Sequence, residues 1–398
     1  MSNALSIQAD VVIVGGGVAG LWLLDELTRN GYAAILLEKN ALGAGQTVAS
    51  QGIIHGGLKY MFDGILTAPA KAIAEMPPLW RAALAGHSQP DLSGTTVLSD
   101  CCHIWGTGSL KSRLFVKGSA LALRAAPDAV DRAQAPAPLA TIPGTLLRVP
   151  EQVLDPASLL VTFARRNAGR IVQFAGDLDL SQAGGPGNLV QLVSPPKSSD
   201  TLRIRFGRLV LTAGEGNAEL RQRLGLPGSA MQRRPLHMVL LRGRLPQLFG
   251  HCVGGPKPRL TITSAPLAGG RTAWQVGGLI AEDGVKMSPA QLKVQTVQEL
   301  RACLPGLDLA GVQFSAYRID RAEAANASGQ RPDDIQILQD GNVLTAWPTK
   351  LALAPRLAER TLQLLPKPSG QPLPKLDWPA PPVALPPWES ATNWEPLI

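Results

Sequence analysis

The chain has 398 residues, with 45% hydrophobic and 17% charged side chains and a formal net charge of +8 at pH 7. This composition is typical of a globular protein and excludes a disordered one, and the length predicts two domains. The longest basic runs are the pairs Arg165-Arg166 and Arg233-Arg234, so we expect no nucleic-acid partner. The charge favours a solvated surface, with attraction to an anionic membrane face or an anionic substrate as the alternative.

The first elements in chain order are a buried strand and a helix joined by a glycine-rich turn. The apolar residues 11–14 run into three glycines with G-x-G-x-x-G spacing, Gly15, Gly17 and Gly20. These glycines allow a tight turn, approach of a pyrophosphate to the backbone, and close packing of the helix on the strand. The pyrophosphate would lie on the helix N-terminus, at Val18 and Ala19, because free N–H groups and the helix dipole favour anions there.

A second apolar run, residues 33–37, ends in Glu38, 18 residues after Gly20. An acid near this offset accepts hydrogen bonds from an adenosine ribose. Strand, turn, helix, strand and acid together predict a dinucleotide site. A glycine-rich turn in an unrelated α/β protein is the alternative, but it does not account for the position of the acid.

The next segment is a second loop rich in glycine and hydroxyl residues. Residues 43–47 are too small and flexible for a packed element, and residues 50–60 contain the pair Gly56-Gly57. We interpret the loop as a second contact with a pyrophosphate, and the glycine pair as backbone that lies against a flat ring. The further cofactor-binding residues predicted after Glu38 are Lys39, Gly45, Gln46, Thr47, Ser50, Gln51 and Gly52.

Two absences limit the class of protein. Residues 11–24 are apolar but are interrupted by glycines and lack a basic leader, so we expect neither a signal peptide nor a membrane span. We therefore expect a cytoplasmic location, which the charge argument extends to peripheral contact at the inner membrane face. The cysteines have neither C-x-x-C nor metal-ligand spacing, so we predict no metal and no disulfide reductase; they are Cys101, Cys102, Cys252 and Cys303.

Periodicity is weak over residues 61–149 and sharpens at Asp155-Pro156, a suitable N-cap and first residue for a helix over 156–167. Strands are predicted over 170–174, which contains Val172, and over 189–193, 202–206 and 208–212. The last of these ends at Ala213-Gly214, where the glycine indicates a second approach of backbone to ligand. The first domain is therefore interrupted and then resumed.

Residues 229–317 are predicted to be mostly strands, with a helix over Pro289–Cys303. A last strand over 342–346 leads through a turn at 347–350 into a helix over 351–365, where Pro355 is tolerable only near the first turn. The final 33 residues contain ten prolines. We predict an extended tail, strapped to the surface by Trp378, Trp388 and Trp394.

The order of these pieces resembles the D-amino-acid-oxidase superfamily of FAD-dependent oxidoreductases, and most of all its glycerol-3-phosphate dehydrogenase branch. The resemblance covers about residues 8–60, 150–240 and 310–365. It includes a segment at 54–60 that is similar to the family's "IHGGLRY" beside the flavin, and the strand ending in Ala213-Gly214. It also includes a late segment at 349–355, whose helix N-terminus at Lys350 and Leu351 points at the flavin ring and stabilises its reduced anion.

Pattern and resemblance together predict an α/β fold. A Rossmann-like FAD-binding domain is interleaved with an α+β substrate domain built on a mostly antiparallel sheet. The FAD-binding domain is assigned to residues 1–60, 150–228 and 318–365, the substrate domain to 61–149 and 229–317, and the proline-rich tail to 366–398.

Four residues carry over from the resemblance as catalytic candidates: His55, His237, Arg318 and Lys350. One of the histidines would take the substrate proton, Arg318 would bind the substrate anion, and Lys350 matches a family lysine near the flavin. Each has a plainer alternative, namely a packed histidine, a surface ion pair of the arginine with a neighbouring acid, and a solvated lysine. Lys59 is a weaker candidate.

The departures from the family pattern concern the substrate. Ala49-Ser50-Gln51 stands where the dehydrogenases have Ser-Thr-Lys, Pro348-Thr349 stands where they have Gly-Gly, and the tail replaces a helical cap. These differences argue against glycerol 3-phosphate itself.

The implied activity is that of an FAD-dependent dehydrogenase or oxidase. It moves hydride to flavin N5 from a C–H bond next to a hydroxyl or amine of a small anionic substrate, which is a hydroxy acid, an amino acid or a glycerol-3-phosphate-like compound. Oxygen or a quinone is the expected electron acceptor. An aromatic hydroxylase would need a Gly-Asp-Ala motif that residues 342–350 lack. A non-catalytic flavin-binding assembly or tRNA-associated subunit remains the alternative, and the sequence predicts no oligomeric state.

Overall fold

The computed structural model describes residues 4–56, 72–107, 128–183, 188–193, 200–255 and 257–398. Gly57 and Lys59, singled out above, lie outside the described residues. Within the described residues, the strands form two large sheets and one two-stranded sheet.

The strands follow one another along the whole chain. In chain order they are β1 (Ala4–Val14), β2 (Ala34–Glu38), β3 (Val97–Ser99), β4 (Cys102–Gly106), β5 (Asp128–Ala129), β6 (Leu146–Val149), β7 (Val153–Leu154), β8 (Ile171–Gln173), β9 (Ala175–Gln182), β10 (Leu189–Val193), β11 (Thr201–Leu211), β12 (Met231–Gly243), β13 (Gly250–Val253), β14 (Pro258–Leu267), β15 (Arg271–Gly277), β16 (Gln313–Ala324), β17 (Gln336–Asp340), β18 (Val343–Trp347) and β19 (Glu395–Pro396).

The α-helices lie between these strands and cover the sheets. In chain order they are α1 (Val18–Arg29), α2 (Met76–Leu84), α3 (Ala137–Ala140), α4 (Pro156–Arg166), α5 (Asn217–Arg223), α6 (Leu279–Asp283), α7 (Pro289–Cys303), α8 (Ala354–Gln363) and α9 (Pro387–Ser390). Among the described residues, no helix has both the length and the hydrophobicity needed to cross a bilayer.

The first large sheet has a parallel core in the order β17, β18, β11, β1, β2, β8. β1 pairs in parallel with β11 and β2, and α1 makes the crossover that a parallel pair requires. β17 is antiparallel to β18, and β9 and β10 extend β11 in antiparallel fashion. Because its strands come from three separated stretches of chain, this sheet is discontinuous in sequence.

The central strands of the first sheet are continuous apolar runs because both of their faces are covered. Ile13 belongs to a core cluster with Leu21 and Trp22 of α1 and Phe163 of α4. Val12 points the other way, into a cluster that also contains strands β8 to β11. Alternate side chains along a strand therefore pack into two separate hydrophobic cores, one on each face of the sheet.

The second large sheet has the order β19, β16, β12, β15, β14, β13, β4, β6, β5. All its pairings are antiparallel except that of β13 with β4. Val239 and Trp274 on one face pack with Leu292 and Leu300 of α7. The predicted α/β fold class, with a mostly antiparallel second sheet, is confirmed.

Helix boundaries follow the capping residues closely. Asp155 accepts hydrogen bonds from Ala157 N and Ser158 N and so starts α4, as predicted. Ser288 forms a capping box with Gln291 at the start of α7. The helix predicted over 351–365 begins as a 3₁₀ turn over Leu351–Leu353 and continues as α8, with a proline in its first turn.

The proline-rich tail lies along both sheets. Leu42 N donates to Pro382 O at 2.8 Å, Ala384 N donates to Leu42 O at 3.0 Å, and Trp378 Nε1 donates to Gln173 O at 2.8 Å. Farther along, the guanidinium of Arg242 lies 4.1 Å from the centre of the Trp394 ring, and β19 pairs with β16. The tail is therefore an extended segment held by specific contacts, Trp378 and Trp394 among them.

Candidate functional site

The glycine turn forms the floor of a cavity between β1 and α1. Gly15 has φ +111°, and a Cβ there would lie 2.5 Å from the Cα of Ala213, so no other residue fits. A Cβ on Gly20 would lie 2.1 Å from Gly15 O, as expected of the glycine that lets the helix approach the strand. The turn therefore brings the N-terminus of α1 against the end of β11.

The second loop meets this turn at Thr47. Its Oγ1 accepts a hydrogen bond from Val18 N at 3.0 Å, and a Cβ on Gly17 would lie 3.2 Å from the same oxygen. Gly17 is the N-cap of α1 and has no side chain to cap it. Thr47 thus accepts from the first N–H group of the helix, and the N–H groups that follow in the first turn are available to an anion, as a pyrophosphate site requires.

Glu38, at the end of β2, is held by backbone donors. Its Oε2 accepts from Gly16 N at 2.6 Å and its Oε1 from Asn40 N at 2.9 Å. Each carboxylate oxygen has a further lone pair, so the side chain is fixed and can still accept from ribose hydroxyls.

A cavity of about 690 Å³ extends from the glycine turn to the second sheet. Most of the predicted cofactor residues line it: Gly15, Gly17, Val18, Ala19, Glu38, Lys39, Gly45, Gln46, Thr47, Ser50, Gln51, Gly52, Ala213, Gly214, Lys350 and Leu351. Two others do not. Gly20 serves the packing described above, and Val172 is buried in β8 beside Leu37.

The second sheet forms the opposite wall of the cavity through one face of β12 and β16. Leu236 pairs with Ile319, and Met238 with Tyr317, so directly opposed side chains share a face. Leu236, Met238, Ile319 and, two residues farther along β16, Arg321 line the cavity.

His237 and Arg318 do not line the cavity, which corrects the sequence-based placement of both residues. They pair with each other on the alternate positions of β12 and β16, and a strand turns alternate side chains to opposite faces. His237 Nδ1 lies 3.0 Å from Gly284 O, and Arg318 donates to Val285 O and Met287 O at 3.0 and 3.4 Å. Arg321, three residues later, is the arginine of β16 that lines the cavity.

His55 lines the cavity and lies beside two residues that the sequence analysis missed. Its Nδ1 is 3.4 Å from Glu151 Oε2, and Nε2 of His251 is 3.9 Å from the same oxygen. Glu151 and His251 are buried, whereas the His55 side chain is 41% exposed. No motif marked Glu151 or His251, because only folding brings residue 151 and β13 to the loop at 52–56.

The charges of this cluster are set by burial and by each other. Burial acts to raise the pKa of Glu151, but its contacts with His251 and His55 and their charges outweigh burial and hold that pKa well below its usual value. Desolvation lowers the pKa of His55, against the opposite effect of Glu151. The carboxylate is therefore ionised at neutral pH and the His55 imidazole is neutral there.

A buried amide network joins the cofactor loop to the second sheet. Gln51 Nε2 donates to Thr261 O and Gln275 O, both at 2.9 Å. Gln275 Nε2 in turn donates to Ala49 O at 2.7 Å and contacts the Tyr317 hydroxyl at 2.5 Å. Gln51, which stands where the resembled family has a lysine, thus fixes the loop at 49–52 to β14 and β15.

Lys350 and Leu351 line the cavity at the start of the last helical segment. Thr349, just before them, has φ +59°, a left-handed conformation that is strained for a β-branched residue. Its Oγ1 is buried and has no hydrogen-bond partner among the described residues. Strain and an orphaned hydroxyl at the cavity wall are typical of a ligand site.

These residues fit FAD. The glycine turn and Thr47 would hold its pyrophosphate, Glu38 its ribose, and the loop at 49–52 together with residues 349–351 its flavin ring. The cradle at Gly15 and Gly17 excludes side chains where the phosphates would lie, and the floor of the cavity presents the N-terminus of α1.

Comparison with known proteins agrees with this geometry. The model of the DAO family, described as FAD dependent oxidoreductase, matches residues 10–339. A probable FAD-dependent oxidoreductase of Pseudomonas aeruginosa is 40% identical over 406 residues, which cover 98% of this chain and 100% of that protein. The crystal structure of an FAD-dependent oxidoreductase from Pseudomonas aeruginosa has a TM-score of 0.81 at 37% identity and covers 98% of this chain and 99% of that one.

More distant relatives share the fold. L-alpha-glycerophosphate oxidase of Mycoplasma pneumoniae, solved with FAD bound, has a TM-score of 0.61 at 13% identity and covers 93% of this chain and 97% of that one. The family model and the Pseudomonas aeruginosa protein show that the cofactor is FAD and that the activity is that of an oxidoreductase, as predicted. The chain belongs to the DAO family of FAD-dependent oxidoreductases.

Proposed function

We propose that the protein oxidises a C–H bond next to a hydroxyl or an amine of a small anionic substrate: a hydroxy acid, an amino acid or a glycerol-3-phosphate-like compound. The observation that carries this proposal is the position of Arg321 on the second-sheet wall of the cavity. Bound FAD supplies the hydride acceptor, at flavin N5. The side chains of this chain bind and orient the substrate and take its proton.

Arg321 is suited to bind an anion because its existing contacts are long. Its Nε lies 3.5 Å from Arg234 O, and its Nη2 lies 3.5 Å from Glu282 Oε1. Arg234, by contrast, is held by both oxygens of Glu323 at 2.7 Å. Arg321 therefore keeps donors for a carboxylate or phosphate, which a guanidinium binds in a two-pronged way.

The electrostatics of the wall support the same assignment. Burial, and then the charges of Arg234 and Arg331, lower the pKa of Arg321, while Glu282 and Glu323 act to raise it, and the pKa stays below its usual value. The two acids therefore offset the unfavourable charge of Arg321 only in part. A substrate anion bound there would stabilise the guanidinium further, and a neutral substrate would not.

His55 is the proposed proton acceptor. Of the two histidines predicted for this role, it is the one that lines the cavity, and its lowered pKa keeps it neutral near pH 7. A neutral imidazole accepts the O–H or N–H proton as hydride leaves the adjacent carbon. Lys350, on the same cavity lining, adds positive charge beside the substrate anion.

The test is anaerobic reduction of the bound flavin by matched pairs of compounds that differ only in their anionic group. Suitable pairs are 2-hydroxy acids and amino acids with their amides, and glycerol 3-phosphate with glycerol. We expect the anionic member of one pair to bleach the flavin and its neutral partner to do so far more slowly. Equal bleaching by both members would contradict the anion site, and bleaching by dithionite alone would favour a non-catalytic flavin-binding protein.

We further propose that oxygen or a quinone reoxidises the flavin and that the protein is cytoplasmic, with peripheral contact at the inner membrane face. The net charge of +8 supports attraction to anionic lipid. Oxygen uptake compared with reduction of a soluble quinone identifies the acceptor. Sedimentation with vesicles of anionic lipid, against vesicles of neutral lipid, tests the contact, and equal sedimentation with both would contradict it.

A further inference from the structure

The Glu151 carboxylate lies beside the His55 imidazole, and His251 on β13 approaches the same carboxylate oxygen. We infer that Glu151 is a positioning residue for His55, and that His251 competes for Glu151 Oε2, so that the two neighbours act in opposite directions on the proton that His55 takes. The inference rests on the proposed function of the same cavity, because it concerns the residue that would accept the substrate proton.

The backbone around His55 is held by the segment that carries Glu151. Leu154 N donates to Gly52 O at 3.0 Å, Ile54 N donates to Gln152 O at 2.9 Å, and Gly56 N donates to Glu151 Oε1 at 2.6 Å. These contacts follow one another along the two strands of chain, before and after His55. Three consecutive hydrogen bonds therefore hold the backbone on both sides of His55, and the Glu151 side chain accepts one of them.

Gly52 lies in close contact with the backbone of Leu154. Gly52 has φ +68°, and a Cβ there would lie 2.0 Å from Leu154 O. The chain can lie this close to residue 154 only with glycine at that position. This close approach holds the segment at 52–56 against residues 151–154.

The other oxygen of Glu151 is the one that faces the imidazoles. Oε2 is buried and forms no hydrogen bond of ordinary geometry within the described part of the chain. It lies 3.4 Å from His55 Nδ1 and 3.9 Å from His251 Nε2. A buried carboxylate oxygen without a close donor is costly, and a proton arriving on either imidazole gives it one.

His251 is oriented from its far side. Its Nδ1 lies 2.9 Å from Thr261 Oγ1 across the β13–β14 pair, which leaves Nε2 directed to Glu151. The His55 and His251 rings are 5.6 Å apart, centre to centre. Two imidazoles thus share one counter-charge at short range.

The signs of the two effects follow from charge. Glu151 favours the protonated form of His55, whereas a charge on His251 disfavours it, and Lys350 after β18 acts in the same sense as His251. Cys102 on β4 also faces the carboxylate, and its thiol is kept protonated because burial and then Glu151 raise its pKa. Within the described residues, the ionisable groups that act on the charge of His55 are therefore Glu151, His251 and Lys350.

The experiment measures the pKa of His55 in the FAD-bound protein by NMR of histidine-labelled samples, which is practicable because the chain has five histidines. His55→Gln identifies the His55 signal. Glu151→Gln keeps an oxygen to accept from Gly56 N while removing the charge, and His251→Gln removes the competing imidazole. Glu215→Gln, the same change at another part of the cavity lining, is the matched control.

We expect Glu151→Gln to lower the pKa of His55 by about 1 unit and His251→Gln to raise it by a smaller amount, with Glu215→Gln leaving it unchanged. Shifts of the same sign in the first two variants, or no shift in either, would overturn the inference. If Glu151→Gln does not fold, Glu151→Asp, which retracts the charge, should lower the pKa by a smaller amount. Tight binding of Zn²⁺ that abolishes the His55 titration would also overturn it, since the cluster would then serve a cation.

The readout separates this inference from the proposed function because it needs no substrate. If the pKa of His55 shifts in opposite directions in the two variants but no substrate bleaches the flavin, the positioning role of Glu151 is supported and the proposed substrate oxidation is contradicted. If an anionic substrate bleaches the flavin but the pKa of His55 does not shift, the substrate oxidation is supported and the positioning role is contradicted.

Discussion

His237 and Arg318 lie directly opposite each other on β12 and β16, and neither lines the cavity, although Leu236, Met238 and Ile319 beside them do. Both were expected in the active site, and both instead contact the backbone between residues 284 and 287. Leu236, Met238 and Ile319, one position away on the same strands, line the cavity, as do Asp320, Arg321 and Ala322 farther along β16. A shift of one residue along a strand can therefore move a side chain into or out of the cavity lining.

Replacing Arg321 tests the anion site. Arg321→Ala should raise KM for the anionic substrate about 10- to 100-fold, because a charge-assisted hydrogen-bonded contact contributes about 1.5–3 kcal/mol. Arg318→Ala is the matched control on the same strand and should leave KM nearly unchanged. Steady-state kinetics with FAD-saturated enzyme measure both, and a larger effect at Arg318 would restore the sequence-based assignment.

The glycine turn should not tolerate a side chain. In Gly15→Ala the new methyl meets the Ala213 backbone in a left-handed conformation, so we expect a loss of about 1–3 kcal/mol in stability and little bound FAD. The ratio of flavin to protein absorbance after purification checks this. Gly255→Ala, where a Cβ meets nothing within 4 Å, should keep both stability and flavin, and equal flavin content in the two variants would refute the cradle.

Thr349 holds a strained backbone conformation in the cavity wall. Thr349→Gly should stabilise the fold by about 1 kcal/mol, because glycine adopts φ +59° without the penalty that a β-branched residue pays. Thermal unfolding compares it with Thr392→Gly, an exposed tail threonine, which should give no gain. A lower melting temperature for Thr349→Gly would show that contacts of the threonine outweigh its strain.

Lowering the pH should reduce the folding stability of the protein twice, first through His55 and then through Glu151. The pKa of His55 is lower in the folded chain than its usual value of 6.5, so protonation opposes folding as the pH falls below that value. The pKa of Glu151 is also depressed, so its stabilisation is present above its usual value of 4.5 and is lost as the pH falls below it. Urea unfolding across this range should show stability falling throughout, and Glu151→Gln should flatten the part below 4.5; an unchanged slope in that variant would contradict it.

The tail should support the cofactor loop. Pro382 and Ala384 form hydrogen bonds with the backbone N–H and C=O groups of Leu42. The Leu42 side chain packs against the glycine turn, since a Cβ on Gly16 would lie only 2.6 Å from Leu42 Cδ2. A chain ending at Leu365 should lose about 1–3 kcal/mol from these two bonds and bind FAD more weakly. FAD titration measures this against a chain shortened only by its last two residues, and equal affinity would show that the loop holds itself.

Local patterns predicted much of the fold because their causes are local. The glycine turn, the acid at Glu38, the cap at Asp155 and the helix over Pro289–Cys303 all depend on residues a few positions apart. Six of the eight strands of the first sheet were found for the same reason, with β11 predicted as two strands, but β9, β17 and the strand order were not. The predicted domain boundaries stay a prediction.

The candidate site was only half visible in this way. The loops that line the cavity were located, and so was His55, because glycine and hydroxyl patterns mark close backbone approach. The register of β12 with β16 was not, and it decides that Arg321 and not Arg318 faces the cavity. Glu151 was missed because nothing near it in the chain indicates that it will lie beside His55.

The amino-acid sequence by itself determined a glycine turn suited to a dinucleotide, because that turn needs only φ freedom, a helix N-terminus and an acid at a set distance along one short stretch. Tertiary structure alone decided which charged side chains line the cavity. Strand register and the packing of loops against the second sheet set those positions, and both arise from contacts between residues 100 or more positions apart, such as Gln51 with Gln275 and Glu151 with His251.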